Sequence, residues 1–276
     1  MQQNQLSGSI PEVLTSLNEL TILDISNNNF TGYVPEFNES VAVKVDGNNF
    51  FSNSTVLSAN EKSALIALYN ATGGANWTNK TGWLGAEGTE CSWFGVICDG
   101  TGVVELNLFG NGLTGTVPSS VSQLVELKSL RLYNNQLTGS IPSELGQLSK
   151  LTRLYLYNNQ LSGAIPTELG QLTNLGSLGL NQNQLSGPIP ASLGQLSNLV
   201  ELHLQQNQLN GNIPVELGQL SNLTRLSVHQ NQLTGAIPSE LGQLSNLTHL
   251  YLHQNELSGS IPSSLGQLSN LIQLFV

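Results

Sequence analysis

The sequence predicts an α/β repeat fold: a right-handed solenoid with a parallel sheet on its concave face and short helical or 3₁₀ segments on its convex side. Three features support this prediction: a constant period of 24 residues, leucines that alternate with other residues in each period, and a Gly-x-Ile-Pro or Gly-x-Val-Pro step after them. One coil is too small to bury its own leucines, whereas stacked coils bury them in a continuous core. The period is set by a series of asparagines: Asn111, Asn135, Asn159, Asn183, Asn207, Asn231 and Asn255.

Each part of a period has a physical role, and the period around Asn135 shows it. Leu130 and Leu132 alternate, so both point inward from a short strand. Asn135 is polar among core positions, so its amide must bond backbone groups where the chain leaves the strand. Stacked copies of Asn135 would form a ladder. Leu145 and Leu148 lie three residues apart, which suits one turn of helix or 3₁₀ helix on the outer side.

The step after the strand carries a family signature. Leu137, Gly139, Ile141 and Pro142 form an LxGxIP segment that recurs along nearly the whole chain. This segment resembles the plant-specific class of leucine-rich repeats. The resemblance implies a curved or twisted solenoid that contacts ligands through its concave strand face or its lateral edge.

A different motif interrupts the repeats between residues 58 and 102. Ser58 and Glu61 form a capping box at the start of a helical stripe. The segment CSWFGVIC at residues 91–98 resembles the CxWxGVxC signature of the N-terminal cap of plant-type leucine-rich-repeat ectodomains. The resemblance implies that this cap covers the hydrophobic edge of the first coil.

The motifs divide the chain into four parts. Residues 1–50 are predicted to end an upstream repeat array, since Asn4 and Asn28 are also 24 residues apart. Residues 51–57 are a linker, 58–102 the cap, and 103–276 the solenoid. The chain begins within a repeat and ends on an unprotected strand, so we expect it to be a piece of a longer protein.

The chain has two cysteines, Cys91 and Cys98. Spacing alone leaves open two buried thiols or a disulfide whose short loop would contribute roughly 2.5 kcal/mol. A zinc site is disfavoured because the spacing is wrong and no partner cysteine exists. The family pairs these two positions, so the resemblance implies a disulfide and an oxidising compartment.

Sequons for N-glycosylation are frequent, although a sequence rich in Asn and Thr also produces them by chance. Three of them cluster in the cap, which favours an extracellular location. The candidate sites are Asn29, Asn38, Asn53, Asn70, Asn76, Asn79, Asn222 and Asn246.

Composition excludes several classes of function. Only 9% of residues are charged and the net charge is -10, which gives no electrostatic footprint for nucleic acid. No GxSxG, HExxH or phosphate-loop motif is present, so we predict neither an enzyme nor a cofactor. No signal peptide or membrane span is found. We predict a location outside the cell or at its surface, with any membrane attachment through segments outside this sequence.

If the strands are in register, outward residues one period apart become neighbours across the sheet, ~4.8 Å apart. One predicted patch combines aromatic rings with arginines, the composition of binding hot spots. The alternative is aromatic pairing that only stabilises the sheet; we favour binding because these positions are expected to face solvent. The patch comprises Phe109, Arg131, Tyr133, Arg153, Tyr155 and Tyr157.

A second predicted patch holds the four histidines of the chain together with a tyrosine: His203, His229, His249, Tyr251 and His253. Repeat duplication with exchange of Gln for His is one explanation of it. A pH-tuned contact is another. A metal site is disfavoured because the ligands lie on a flat sheet with little carboxylate support.

These features favour an extracellular recognition module, resembling plant receptor ectodomains, that binds a peptide, glycan or partner protein. The alternative is a secreted inhibitor or wall-associated protein similar to leucine-rich-repeat inhibitors of pectin-degrading enzymes. A remote alternative is adsorption to ice or another surface, suggested by columns of Ser, Thr, Asn and Gln. The mixture of residue types within these columns argues against a precise lattice.

Overall fold

The leucine-alternating segments form one long sheet, here called the main sheet. The computed structural model describes residues 4–8, 10–17, 19–30, 34, 41–48 and 57–276. Eight of the nine strands in the main sheet pair in parallel, and each shifts by 24 residues from the last, as in Leu130 with Leu154. The predicted continuous parallel sheet is therefore confirmed. The parallel strands are Val103–Asn107, Ser129–Arg131, Arg153–Tyr155, Ser177–Gly179, Glu201–His203, Arg225–Ser227, His249–Tyr251 and Gln273–Phe275.

The ninth strand of the main sheet comes from the cap and was not predicted. Val96–Cys98 pairs with Val103–Asn107 in the antiparallel direction, with an irregular register between Ile97 and Cys98. This strand lies on the outer edge of the first coil. It thereby pairs backbone groups that an exposed sheet edge would leave free.

A second sheet, formed by the LxGx segments, was also missed by the sequence analysis, which expected only a tight turn there. Its five strands run in parallel beside the main sheet in sequence, one per coil. Glycines such as Gly187, with φ 78°, allow the backbone to follow this path. The strands are Ser162–Gly163, Gln184–Pro188, Gln208–Asn212, Gln232–Ala236 and Glu256–Ser258.

The return segment of each coil is a short 3₁₀ helix, as predicted. Each one follows a proline in the extended conformation, such as Pro142 with φ -63°. Leu145 and Leu148 on this segment are fully buried beside the strand leucines. The solenoid's 3₁₀ helices are Ser119–Gln123, Ser143–Gln147, Thr167–Gln171, Ala191–Gln195, Val215–Gln219, Ser239–Gln243 and Ser263–Gln267.

The conserved-period asparagines form the ladder that the sequence predicts. The Nδ2 atom of Asn159 donates hydrogen bonds to the carbonyl oxygens of Leu132, at 2.9 Å, and Leu156, at 3.0 Å. Its Oδ1 atom accepts from the backbone N–H of Leu137 at 3.0 Å. Each side chain thus joins its own coil to the preceding one, and Asn135 makes the equivalent bonds. The ladder fixes the stacking of the coils through buried polar groups.

The cap consists of a helix, Ala59–Ala71, two short 3₁₀ segments, Gly74–Asn76 and Glu90–Ser92, and the edge strand. Ser58 and Glu61 form the predicted capping box. Cys91 and Cys98 are joined by a disulfide bond. Glu61 also accepts a hydrogen bond from the backbone N–H of Val103 at 3.0 Å, so it connects the cap helix to the first solenoid strand.

Residues before the cap also contain paired strands. Ile22–Asp24 runs parallel to Ala42–Lys44, and Ser7–Gly8 runs parallel to Asn29–Phe30, while Glu12–Ser16 is a 3₁₀ helix. Asn28 donates to the carbonyl oxygen of Ile25 at 3.0 Å, as in the ladder of the solenoid. The assignment of residues 1–50 to an upstream array remains a prediction, and residues 51–56 of the proposed linker lie outside the described residues.

Candidate ligand-binding site

Strand register brings the outward residues of the main sheet together in columns. Arg131 pairs with Tyr155, Tyr155 with Gly179, and Gly179 with His203. Residues that are 24 apart in sequence are therefore direct neighbours on the surface. The first column reads, in spatial order, Asn107, Arg131, Tyr155, Gly179, His203, Ser227, Tyr251 and Phe275.

Four aromatic residues of the predicted first patch form one cluster. Phe109 and Tyr133 are stacked with centroids 5.0 Å apart, and Tyr133 and Tyr157 are stacked at 4.4 Å. We call these three rings the aromatic ladder. Tyr155 meets Tyr133 and Tyr157 edge-on, at 6.4 and 6.1 Å. Such arrangements contribute roughly 0.5–1.5 kcal/mol per pair, so the rings both stabilise the sheet and present a rigid surface.

The expectation that these positions simply face solvent needs correction. Phe109 is exposed, but the three tyrosines are half-buried because rings on adjacent strands cover one another. Burial, with a further contribution from Tyr133, raises the pKa of Tyr157 to about 12. Its phenol therefore stays protonated at neutral pH and remains a hydrogen-bond donor.

The two arginines of the patch differ in their surroundings. Arg131 lies 3.4 Å from the carboxylate of Glu105, and its Nε atom donates to the hydroxyl of Ser129 at 3.1 Å. Arg153, one strand further along, is exposed. The positive charge predicted for this patch is therefore carried mainly by Arg153, while Arg131 is largely neutralised.

A hollow of about 410 Å³ adjoins the aromatic ladder and was not predicted. It exists because Gly179 supplies no side chain where the neighbouring positions carry Tyr155 and His203. A Cβ atom at Gly179 would lie 3.1 Å from the ring of Tyr157 and 3.2 Å from that of Tyr155. The hollow is lined by Tyr155, Tyr157, Ser177, Gly179, Asn181, Glu201, His203 and Gln205. The signal in the sequence was the glycine that interrupts a column of large residues.

The far wall of the hollow carries an acidic group and a histidine. The carboxylate of Glu201 lies 3.7 Å from Nε2 of His203 and accepts a hydrogen bond from the hydroxyl of Ser177 at 3.4 Å. Burial lowers the pKa of His203, although the nearby Glu201 opposes that effect. His203 is consequently neutral at pH 7, and the charge of Glu201 is left uncompensated by it.

The structure divides the predicted histidine patch. His203 belongs to the hollow, whereas the rings of His229 and His253 stack on each other with centroids 4.5 Å apart. Tyr251 meets His229 and His249 edge-on, at 5.8 and 5.9 Å. In the part of the chain that the structure describes, no group of three or more possible ligands could hold a metal ion.

Protonation of the stacked histidines is expected to destabilise the fold. Burial lowers the pKa of His229, and the neighbours His253 and His203 lower it further. The unfolded chain then binds more protons than the folded chain once the pH falls below about 6.5, so stability is complete above this pH and decreases below it. Thermal unfolding at pH 7.5 and 5.0 should show a smaller acid-induced decrease in Tm for His229→Gln than for the wild type. Equal decreases would contradict this assignment.

The candidate glycosylation sites lie mostly at the surface. Asn29, Asn70 and Asn76 are exposed and Asn79 is half-buried. Asn222 and Asn246 are exposed, and each donates a hydrogen bond to the preceding coil at 2.8 Å. Asn38 and Asn53 lie outside the described residues, and glycosylation at all of these sites remains a prediction. Within the described ranges, the helices are too short or too polar to cross a bilayer.

Comparisons with known proteins identify the repeats. The family model described as a leucine-rich repeat region matches residues 103–236, and a second leucine-rich-repeat model matches residues 19–40 and 246–268. The receptor-like kinase TMK4 of Arabidopsis thaliana is 33% identical over 135 residues, which is 47% of this chain and 14% of the kinase. The chain thus spans only a small part of the curated relatives that it matches.

Solved structures give the same result over more of the chain. The crystal structure of a pollen receptor kinase 3 superposes with a TM-score of 0.62 at 34% identity, covering 71% of this chain and 95% of that one. The plant peptide hormone receptor RGFR1 in complex with RGF2 has a TM-score of 0.53 at 30% identity, covering 98% of this chain and 45% of that one. The chain belongs to the leucine-rich-repeat family, and its relatives within that family are ectodomains of plant receptor kinases.

Proposed function

We propose that this chain is an extracellular recognition module that binds a peptide or a partner protein on the outward face of its main sheet. The observation that carries the proposal is the aromatic ladder, which places stacked rings beside a hollow on a rigid sheet. Tyrosine and arginine side chains on such a surface supply large contact area at small entropic cost. Recognition rather than catalysis is the role that this arrangement favours.

The relatives support the same proposal. The plant peptide hormone receptor RGFR1 was solved in complex with RGF2 and shares the fold along nearly the whole of this chain. A receptor ectodomain works outside the cell, where a disulfide such as that between Cys91 and Cys98 persists. The ligand of the present chain is expected to be of the same chemical class, a peptide or a protein surface.

The test is binding by the full chain to a displayed library of random dodecapeptides. We expect the double variant Tyr133→Ala/Tyr157→Ala to lose at least about thirtyfold in affinity for selected peptides, because hot-spot truncation costs about 2 kcal/mol or more. Tyr133→Phe/Tyr157→Phe keeps the rings and should retain most of the affinity. Circular dichroism and Tm would show that both variants are folded.

Glu168→Ala is the matched control, since Glu168 lies on the 3₁₀ side of the solenoid, away from the main-sheet face. Its affinity for the selected peptides should equal that of the wild type. If affinity survives the double alanine change and falls with Glu168→Ala, recognition takes place on the outer side. If the library yields no peptide and a glycan array yields a ligand, the ligand class is wrong.

A further inference from the structure

We propose that the hollow beside Tyr157 is a subsite for a tyrosine or tryptophan side chain of a peptide ligand. This inference rests on the proposed function and adds the chemistry of one ligand residue. The hollow's volume, about 410 Å³, falls in the range of about 300–1,000 Å³ found for ligand pockets. Three features of the hollow select its occupant: an available ring face, unsatisfied acceptors and the balance of charge.

The aromatic ladder stops at the hollow. Tyr133 covers one face of Tyr157, with the rings 15° from parallel. The next position in this column is Asn181, which lines the hollow and has no ring. The other face of Tyr157 is therefore available to the hollow. A planar ring placed there would extend the stack of Phe109, Tyr133 and Tyr157 by one member, at a spacing that aromatic pairs favour.

The acceptors in the hollow require a donor. The carboxylate of Glu201 is 44% exposed, and its contacts are Ser177 and the neutral ring of His203. The side-chain oxygen of Gln205 is covered and makes no hydrogen bond within the described structure. The O–H of a phenol or the N–H of an indole could donate to one of these groups, whereas a phenyl ring could not.

Charge separates a neutral ring from an arginine side chain, which is also planar and rich in donors. Arg225 pairs with Glu201 on the next strand, and Arg153 lies two strands away on the other side of Ser177. Both positive charges fall near the Debye length of about 8 Å at physiological ionic strength. A guanidinium would bring a third positive charge to a single carboxylate, and a phenol or indole brings none.

The probes are acetylated tripeptide amides, Gly-X-Gly with X as Tyr, Trp, Phe, Leu or Arg, titrated into the isotope-labelled full chain. We expect the Tyr and Trp probes to shift the ring signals of Tyr157 and His203 in NMR spectra, with millimolar Kd. The Phe probe should bind about three- to tenfold more weakly, because it lacks the one hydrogen bond. Glu201→Ala should remove this preference for Tyr over Phe and leave the Phe affinity unchanged.

Asn181→Tyr fills the hollow from within the chain and should abolish binding of all the probes. Gln184→Tyr places the same residue on the second sheet, where residue 184 is exposed, and should change nothing. Gly179→Ala is a second blocking variant, since its Cβ would push against both tyrosine rings. Equal affinity for the Arg or Leu probe, or Tyr binding that survives in both blocking variants, would overturn the proposal.

The same variants separate this inference from the proposed function. If library peptides bind through Tyr133 and Tyr157 but show no enrichment of aromatic residues and tolerate Asn181→Tyr, the recognition face stands and the subsite is wrong. If the Tyr probe binds as described but no library peptide is captured, the subsite stands and the proposed ligand class is wrong.

Discussion

Asn159→Leu is expected to lower the free energy of unfolding by about 3–5 kcal/mol. The substitution leaves the carbonyl oxygens of Leu132 and Leu156 and the N–H of Leu137 without their partners. Each unsatisfied buried group costs roughly 1–3 kcal/mol. Leucine fits the volume of the site approximately, so the loss measures the hydrogen bonds more than a cavity. Urea unfolding followed by circular dichroism would give the free energy.

Gln160→Leu is the matched control for this change. Gln160 is adjacent in sequence and exposed, and it uses only its backbone N–H, which bonds the carbonyl oxygen of Leu137 at 2.8 Å. We expect its urea midpoint to stay close to that of the wild type. Equal decreases in the two midpoints would show that the asparagine ladder does not hold the coils together.

Glu61→Ala is expected to destabilise the junction between the cap and the solenoid by about 3 kcal/mol. Glu61 is only 6% exposed and accepts hydrogen bonds from the N–H and hydroxyl of Ser58, at 3.1 and 2.8 Å, and from the N–H of Val103 at 3.0 Å. Removal of the carboxylate leaves these three donors without partners. Hydrogen exchange at the Val103 amide should accelerate by one to two orders of magnitude, about a tenfold change for each 1.4 kcal/mol.

Glu87→Ala removes a carboxylate of the same cap that is 90% exposed and pairs with Lys62 at 3.3 Å. Exposed ion pairs contribute roughly 0–1 kcal/mol, so this variant should exchange at Val103 like the wild type. Unchanged protection of Val103 in Glu61→Ala would mean that the disulfide and the edge strand hold the cap without the carboxylate.

The main sheet could be predicted from the sequence because its register is a property of the period. A residue such as Tyr155 has its neighbours at positions 131 and 179 whatever the curvature of the solenoid. The asparagine ladder and the capping box were accessible for a similar reason: each is a local rule about where a polar side chain finds backbone partners.

Other features depend on contacts that the period does not encode. Glu61 reaches Val103 over a separation of 42 residues. The strand Val96–Cys98 joins the main sheet through a path set by the folded cap. The second sheet escaped prediction because its segments contain glycine and alternate weakly, so they look like turns. The hollow escaped because a missing side chain matters only once its neighbours are known.

The constant register between coils has a consequence for how this surface changes over generations. Each coil offers its two neighbours the same backbone edge and the same asparagine, so an in-frame deletion of residues 182–205 would join two interfaces that already fit. Tyr157 would then lie beside His229 in place of Asn181. Gains and losses of whole coils can therefore reassort side chains on the binding face while the scaffold stays intact, as in a text edited only by whole lines.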